Sequence, residues 1–196
     1  TRDGLVPVYD QVKKMAGGAA IMANVDHNVS LISGIHDLLP NRTGGMVMQK
    51  NLETLGDIKY SQEEIQFAFE MQENNGKPKV GIDGKIRPLR ETLASPGGGS
   101  TDVGDVSYNV PVVSLAATTA PKGVPWHSWS VVASSGMSIG HKGMLHAAKA
   151  LGMTMVDIFK DENLRKEIKK EFDERIGDYK YDPFLNPGPP PIDYVD

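Results

Sequence analysis

Hydrophobic positions first recur at helical spacing. Leu5, Val8, Val12 and Met15 share one stripe behind Asp3, a residue suited to helix capping. The pattern predicts an amphipathic helix to about Ala16, ended by Gly17-Gly18. The period then drops to two. Ile21, Ala23, Val25, His27, Val29 and Leu31 alternate with Met22, Asn24, Asp26, Asn28 and Ser30, predicting a half-buried, antiparallel strand. Gly34 to Thr43 reads as a connector stopped by Pro40, with Asn41 or Thr43 free to cap the helix Met46–Leu55 before Gly56. Ser61 and Glu64 form a capping box, and Ile65, Phe67, Ala68 and Met71 give the next helix its apolar side. Asn74 to Ser95 is polar and rich in Gly and Pro, predicting an exposed, mobile excursion.

The second half carries the denser signals. Gly97-Gly98-Gly99 leads into Ser100-Thr101-Asp102, and Val110 to Ala117 is a continuous apolar run, predicting a central strand buried on both faces. Pro121 to Pro125 turns the chain towards Trp126-His127-Ser128-Trp129. Ser138 can cap a helix from about Ile139 to Phe159. It is studded with Gly140, Gly143, Ala147, Ala148 and Gly152, a composition that costs roughly 1 kcal/mol per Gly and suits a helix pressed against a sheet. Asp161 caps a last helix with Leu164, Ile168 and Phe172 inward, ending near Gly177, and the tail NPGPPPIDYVD is extended.

Composition narrows the function classes. A net charge of -4 with mixed signs leaves no basic footprint for nucleic acid, and no apolar run reaches bilayer length. Zero cysteines remove disulfides and thiolate chemistry and are compatible with a cytoplasmic setting, so any metal must be held by His, Asp or Glu. Thr1-Arg2-Asp3 has neither an initiator Met nor a signal-peptide layout, so the sequence is expected to start at a cut.

Individual residues leave alternatives open. The triple glycine lets backbone approach a ligand but lacks the Lys-Ser/Thr of a phosphate loop, and it reads equally as a flexible turn. Asp102 and Asp105, three apart, could orient a ligand, support a metal-bound His, or cap a turn. His127, between two tryptophans that would exclude water, is either a cation ligand or a packed core imidazole. His141 and His146 are five apart, which does not stack them on one helix face, and they read as helix-surface residues or as supports behind a ligand. His27 reads as packing, and His36 as a loop residue without a visible partner. No GxSxG elbow supports a nucleophilic serine.

Taken in order, GGGSTDVGDVS, the buried run, PWHSW and SGMSIGHKGMLHAAK resemble the C-terminal part of the metal-dependent amidohydrolases and exopeptidases of the aminoacylase and carboxypeptidase G type, nearest to the p-aminobenzoyl-glutamate hydrolase branch. The resemblance is most specific from Gly97 to Ala150. The GGAAIMA and LLPN segments resemble the end of that family's inserted lid domain.

The resemblance implies an α/β fold: the C-terminal part of a mixed-sheet, helix-flanked catalytic domain, with a short α+β lid remnant at the N-terminus. Residues 1–38 would be that remnant, 39–180 the catalytic part, and 181–196 a Pro-rich tail. It also implies two divalent metal ions, zinc or else manganese or cobalt, in the intact enzyme. His127 matches the family's last metal ligand, and Thr101 and Asp102 match a motif lining the substrate pocket; Asp105 and His141 are candidates for a supporting role behind them. The family's other ligands and its general-base glutamate precede the lid domain, and residues 1–196 hold no counterpart, so no catalytic residue is assigned here.

The expected activity is therefore that of one part of a dinuclear-metal amidohydrolase acting on N-acyl or N-aroyl amino acids or small dipeptides. The chain alone is expected to be inactive and to retain no metal. Its expected partners are the N-terminal part of the same enzyme, a further copy of itself, and a small amide substrate. Glutamate-type specificity would require a basic pocket residue, for which Lys122, Arg42 and Lys142 are candidates. The rival reading is a non-catalytic binding or scaffold module; a zinc site shared between copies through His127 and His27 or His36 is a further possibility.

Overall fold

A computed structural model of the chain describes residues 2–90, 99–185 and 188–189. Among them lie seven α-helices: α1 (Arg2–Ala23), α2 (Arg42–Leu55), α3 (Gln62–Asn74), α4 (Val103–Ser107), α5 (Trp129–Ser135), α6 (Ser138–Lys160) and α7 (Glu162–Ile176). The described residues contain no β-strand, which overturns the expected α/β mixed sheet. The predicted strand over Ile21–Leu31 begins inside α1 and continues as irregular chain. Helix formation is cooperative, and Ala19, Ala20, Met22 and Ala23 are strong enough formers to carry α1 through Gly17-Gly18. It stops instead at Asn24, which takes the left-handed φ of 53°, while the Val25 N–H returns to the Ala20 carbonyl at 3.1 Å. Val110–Ala117 is not a buried strand either: Val110, Ser114 and Ala116 are exposed. An apolar run fixes burial only where neighbouring strands exist to pair with it.

The chain divides into two compact units. The first combines Thr1–Pro40, Ala94–Val112 and Phe172–Asp196. Its organising feature is the buried His36 ring, in contact with the rings of Tyr108, Tyr179 and Tyr181 at centroid separations of 4.6, 5.7 and 5.4 Å. Gly104 lies so close to the His36 carbonyl that a side chain there would not fit. The Ser107 hydroxyl accepts the Leu39 N–H at 2.8 Å, closing the turn over α4. The apolar stripe of α1 is exposed: Val8 at 60%, Val12 at 54%, Met15 at 71%.

The second unit combines Asn41–Leu93 and Val113–Glu171. Asn41 caps α2, its side chain accepting the Gly44 N–H at 2.8 Å and donating to the Ile168 carbonyl at 2.9 Å. Glu171 accepts the Arg42 and Thr43 N–H groups at 2.8 and 2.7 Å, placing a carboxylate at the positive end of α2. The Ser61–Glu64 capping box forms as the sequence predicts. α2 and α6 are bridged by Asn51, whose amide donates to Thr154 at 3.0 Å and to Asp157 at 2.8 Å. Met48, Ala68, Met71, Val124, Ile139 and Ala150 supply the buried apolar core.

The excursion after α3 is pinned over Val80–Gly81. The fully buried Gln72 side chain accepts the Val80 and Gly81 N–H groups and donates to the Gly81 and Lys122 carbonyls, all within 2.8–3.0 Å. That satisfies all of the amide's hydrogen-bonding capacity. The part of the excursion from 91 to 95, Gly97-Gly98, and the tail apart from residues 181–185 and 188–189 lie outside the described residues.

Candidate functional site

His127 stands at the turn leading into α5, in the second unit. The preceding Gly123 has φ +79, and the Ser128 hydroxyl donates to the Pro125 carbonyl at 2.6 Å, which fixes the turn. His127 itself has φ 58, one of two non-glycine residues in the left-handed region among those described. That conformation costs a residue with a Cβ roughly 1–2 kcal/mol. The imidazole is exposed, and so are its neighbours: Trp126 is 73% and Trp129 61% accessible. The tryptophans therefore flank the ring without excluding water from it.

Thr101 and Asp102 belong to the first unit, are exposed, and precede the short α4. Thr101 Oγ1 accepts the Val103 N–H at 3.3 Å, and Asp102 makes no side-chain cap. Asp105 holds the first unit together. One of its carboxylate oxygens accepts the His36 N–H at 3.2 Å, the other the Tyr181 hydroxyl at 3.2 Å. His141 is exposed on α6.

Among the described residues no three His, Asp or Glu side chains converge as a metal-holding group. A protein zinc site takes three or four ligands, so the donor set among the described residues does not by itself fit the two-metal centre that the resemblance implies. His36, a candidate for a metal shared between copies, is buried at 3% exposure, with Nε2 against the Tyr179 hydroxyl at 3.3 Å.

The second unit contains a cavity of about 670 Å³. Its lining includes residues 114–124, Gly45, Met48, Gln49 and Leu52 of α2, Asp83 and residues 85–90, and His146 of α6. Of the three basic candidates for substrate recognition, Lys122 lines this cavity. Lys142 instead donates to Glu64 at 2.6 Å and to the Lys59 carbonyl at 3.0 Å, and Arg42 donates to the Arg90 carbonyl at 2.8 Å. Burial pushes the Glu64 carboxyl up, but hydrogen bonds from Lys142, Ser138 and the Ser61 N–H outweigh it and hold the group at about 2. Sequence reasoning missed His146 and Asp83 as cavity residues. The available signal was spacing: His146 lies three residues after Gly143, on the helix face pressed against Thr118.

Comparison with known proteins decides the family resemblance. Residues of this chain are 34% identical over 188 positions to a subunit of the p-aminobenzoyl-glutamate hydrolase of Escherichia coli (strain K12), covering 84% of this chain. The chain is a relative of that hydrolase. It spans 39% of the length of the matched hydrolase polypeptide. No family model and no solved structure matches the chain.

Among the described residues no helix is long and apolar enough to cross a membrane.

Proposed function

We propose that this chain is one part of an amidohydrolase that cleaves the amide bond of an N-acyl or N-aroyl amino acid, of the kind named in p-aminobenzoyl-glutamate hydrolase. The observation that carries this reading is the 34% identity maintained over 84% of the chain. The geometry of His127 supports it independently. An exposed imidazole held in a strained backbone conformation is an outlier of the sort that clusters at functional sites. In this reading His127 gives one nitrogen donor to a divalent ion, zinc or else manganese or cobalt. Thr101 and Asp102 contribute polar groups to the substrate pocket. Remaining ligands and the proton-transferring carboxylate would come from the hydrolase length that this chain does not span. A bound metal would polarise the amide carbonyl and acidify water. The partner is accordingly the rest of the same enzyme, and the exposed apolar stripe of α1 suits association with it or with a second copy.

A non-catalytic binding role is the second reading, favoured by the lack of a convergent metal-holding group among the described residues. One experiment separates the two. The chain is assayed for hydrolysis of p-aminobenzoyl-glutamate alone and as part of the full-length hydrolase polypeptide. The expected result is no turnover by the chain alone and chelator-sensitive turnover by the full-length protein. In the latter, His127→Ala lowers kcat by about 100-fold or more and reduces bound metal. Turnover by the chain alone, or a full-length His127→Ala variant with unchanged rate and metal content, would overturn the proposal.

A further inference from the structure

The long helix α6 of the second unit has two unlike faces. Ile139, Gly140, Gly143, Ala150 and Thr154 are buried and fall on one side at helical spacing. The opposite side is bare. Met144, Leu145, Leu151, Met155, Val156 and Phe159 expose between 42 and 75% of their surface. Ala148 and Gly152, which lie among them, are exposed as well. Met144, Ala148, Leu151, Met155 and Phe159 recur at steps of four, three, four and four, the spacing of a seam along which one helix meets another. Lys149 and Lys160 are exposed along one edge, and no Asp, Glu, Lys or Arg falls within the stripe.

The size of this face suits a partner. Its six large side chains uncover on the order of 500 Å² of apolar surface, the upper end of the largest patch on a typical monomer. Two such faces in contact would bury about 1,000 Å², roughly the lower limit of a specific interface.

Its sequence also reads as its own complement in reverse order. Two α6 helices laid antiparallel about a point between Leu151 and Gly152 set Met144 against Phe159, Ala148 against Met155 and Leu151 against Gly152. Near the centre each large side chain meets a small one. The Gly152 notch is open, since a Cβ built there meets nothing within 4 Å. Every pair occurs twice, as a two-fold interface requires. The antiparallel order also lays the negative end of each helix beside the positive end of the other. A parallel pairing would do the reverse. It would leave Ala148 facing Ala148 and Gly152 facing Gly152 across a gap, with the Lys149 side chains brought together.

We infer that the bare face of α6 binds the same face of a second copy of this chain, with the two helices antiparallel. This surface is separate from the α1 stripe of the first unit, and neither His127 nor a metal takes part, so the inference stands or falls apart from the hydrolase reading.

The test is sedimentation equilibrium of the 196-residue chain from about 1 to about 100 µM. The expected result is a reversible monomer–dimer equilibrium with a Kd on the order of 10 µM, in keeping with an interface at the small end of the range. Gly152→Leu adds a better helix former where the chain itself offers no clash, and it fills the notch that receives Leu151. It is expected to weaken the dimer about tenfold or more with the helical circular dichroism unchanged. Non-specific sticking gives the opposite result, because the substitution adds apolar surface. The chain has no cysteine, so register is read by cross-linking. A mixture of the Met144→Cys and Phe159→Cys chains is expected to form mixed disulfide dimers under mild oxidation. Each variant alone links slowly, because its two thiols lie roughly 22 Å apart along the paired helices. The inference is overturned by a chain that stays monomeric over this range, whose α6 face would then belong to a different polypeptide. It is equally overturned by a Gly152→Leu variant that dimerises as tightly as the parent, or by single-cysteine variants that link to themselves as fast as to each other.

Discussion

The pair between Glu64 and Lys142 makes the most quantitative test of the second unit. Glu64 is 6% accessible at its side chain and meets the Lys142 ammonium at 2.6 Å, while Lys142 is 38% accessible. Glu64 also accepts the Ser61 N–H at 2.6 Å, so one carboxylate closes the capping box of α3 and anchors α6. Holding a carboxyl at about 2 against an ordinary 4.5 corresponds to an upper bound of about 3 kcal/mol. Solvent screening at the partly exposed ammonium reduces the share due to Lys142 to about 1–2 kcal/mol.

Because the folded-state value is lowered, this contribution is fully present above the ordinary carboxylate value of 4.5 and is lost as pH falls towards about 2. The assay is urea denaturation of the parent, Lys142→Met, Glu64→Gln and the double variant, monitored by circular dichroism between pH 7 and pH 3. Lys142→Met is expected to cost about 1–2 kcal/mol at pH 7, with a coupling energy of similar size in the double-mutant cycle. The Lys142→Met deficit shrinks as pH drops below 4.5. A coupling energy near zero, or a deficit that stays constant from pH 7 to pH 3, would refute the reasoning.

Three further substitutions follow from the backbone. Gly143→Ala is expected to destabilise the chain by about 1–3 kcal/mol, because the new methyl meets the Thr118 carbonyl, whereas Gly152→Ala on the same helix meets nothing and gains about 0.5–1 kcal/mol in urea denaturation. His127→Gly relieves the left-handed φ of 58 and is expected to raise stability by up to about 1 kcal/mol in the same measurement, while removing hydrolase activity from the full-length protein.

What the sequence made legible was local chemistry. The Ser61–Glu64 box, the Asn41 cap, the Gly56 stop and the Asp161 cap are each decided by a few adjacent residues, and each forms. The expected sheet depended on partners distant in the chain, and neither Ile21–Leu31 nor Val110–Ala117 finds one among the described residues. Of the small residues of α6 read as a close-approach face, Gly140 meets the Ser135 carbonyl and Gly143 the Thr118 carbonyl, not a sheet, whereas Gly152 meets nothing and Ala148 is exposed. At the candidate site the sequence singled out His127 by its indole neighbours, whereas the structure singles it out by backbone strain and exposure. His36, a loop residue without a visible partner in the sequence, became the centre of the first unit, because aromatic contacts from Tyr108, Tyr179 and Tyr181 are long-range and leave no periodic trace.

The distribution of strain and exposure bears on the proposal that this chain acts within a longer polypeptide. A turn free to relax would place glycine or asparagine at the left-handed position, as Gly56, Gly81 and Gly123 do elsewhere in the second unit. His127 is retained there with its ring in water, where packing contributes little to hold it. The long apolar side chains of α1 at Leu5, Val8, Val12 and Met15 are likewise uncovered, although burying each would contribute about 1.5–3 kcal/mol. On the proposed function both features gain a counterpart: a cation with further ligands at the imidazole, and an apolar surface on α1. The hydrolase relative extends well beyond the matched length, and a longer polypeptide of that kind would supply both. A self-contained binding module would need neither the strained histidine nor the bare stripe, and that asymmetry is what favours the enzyme reading.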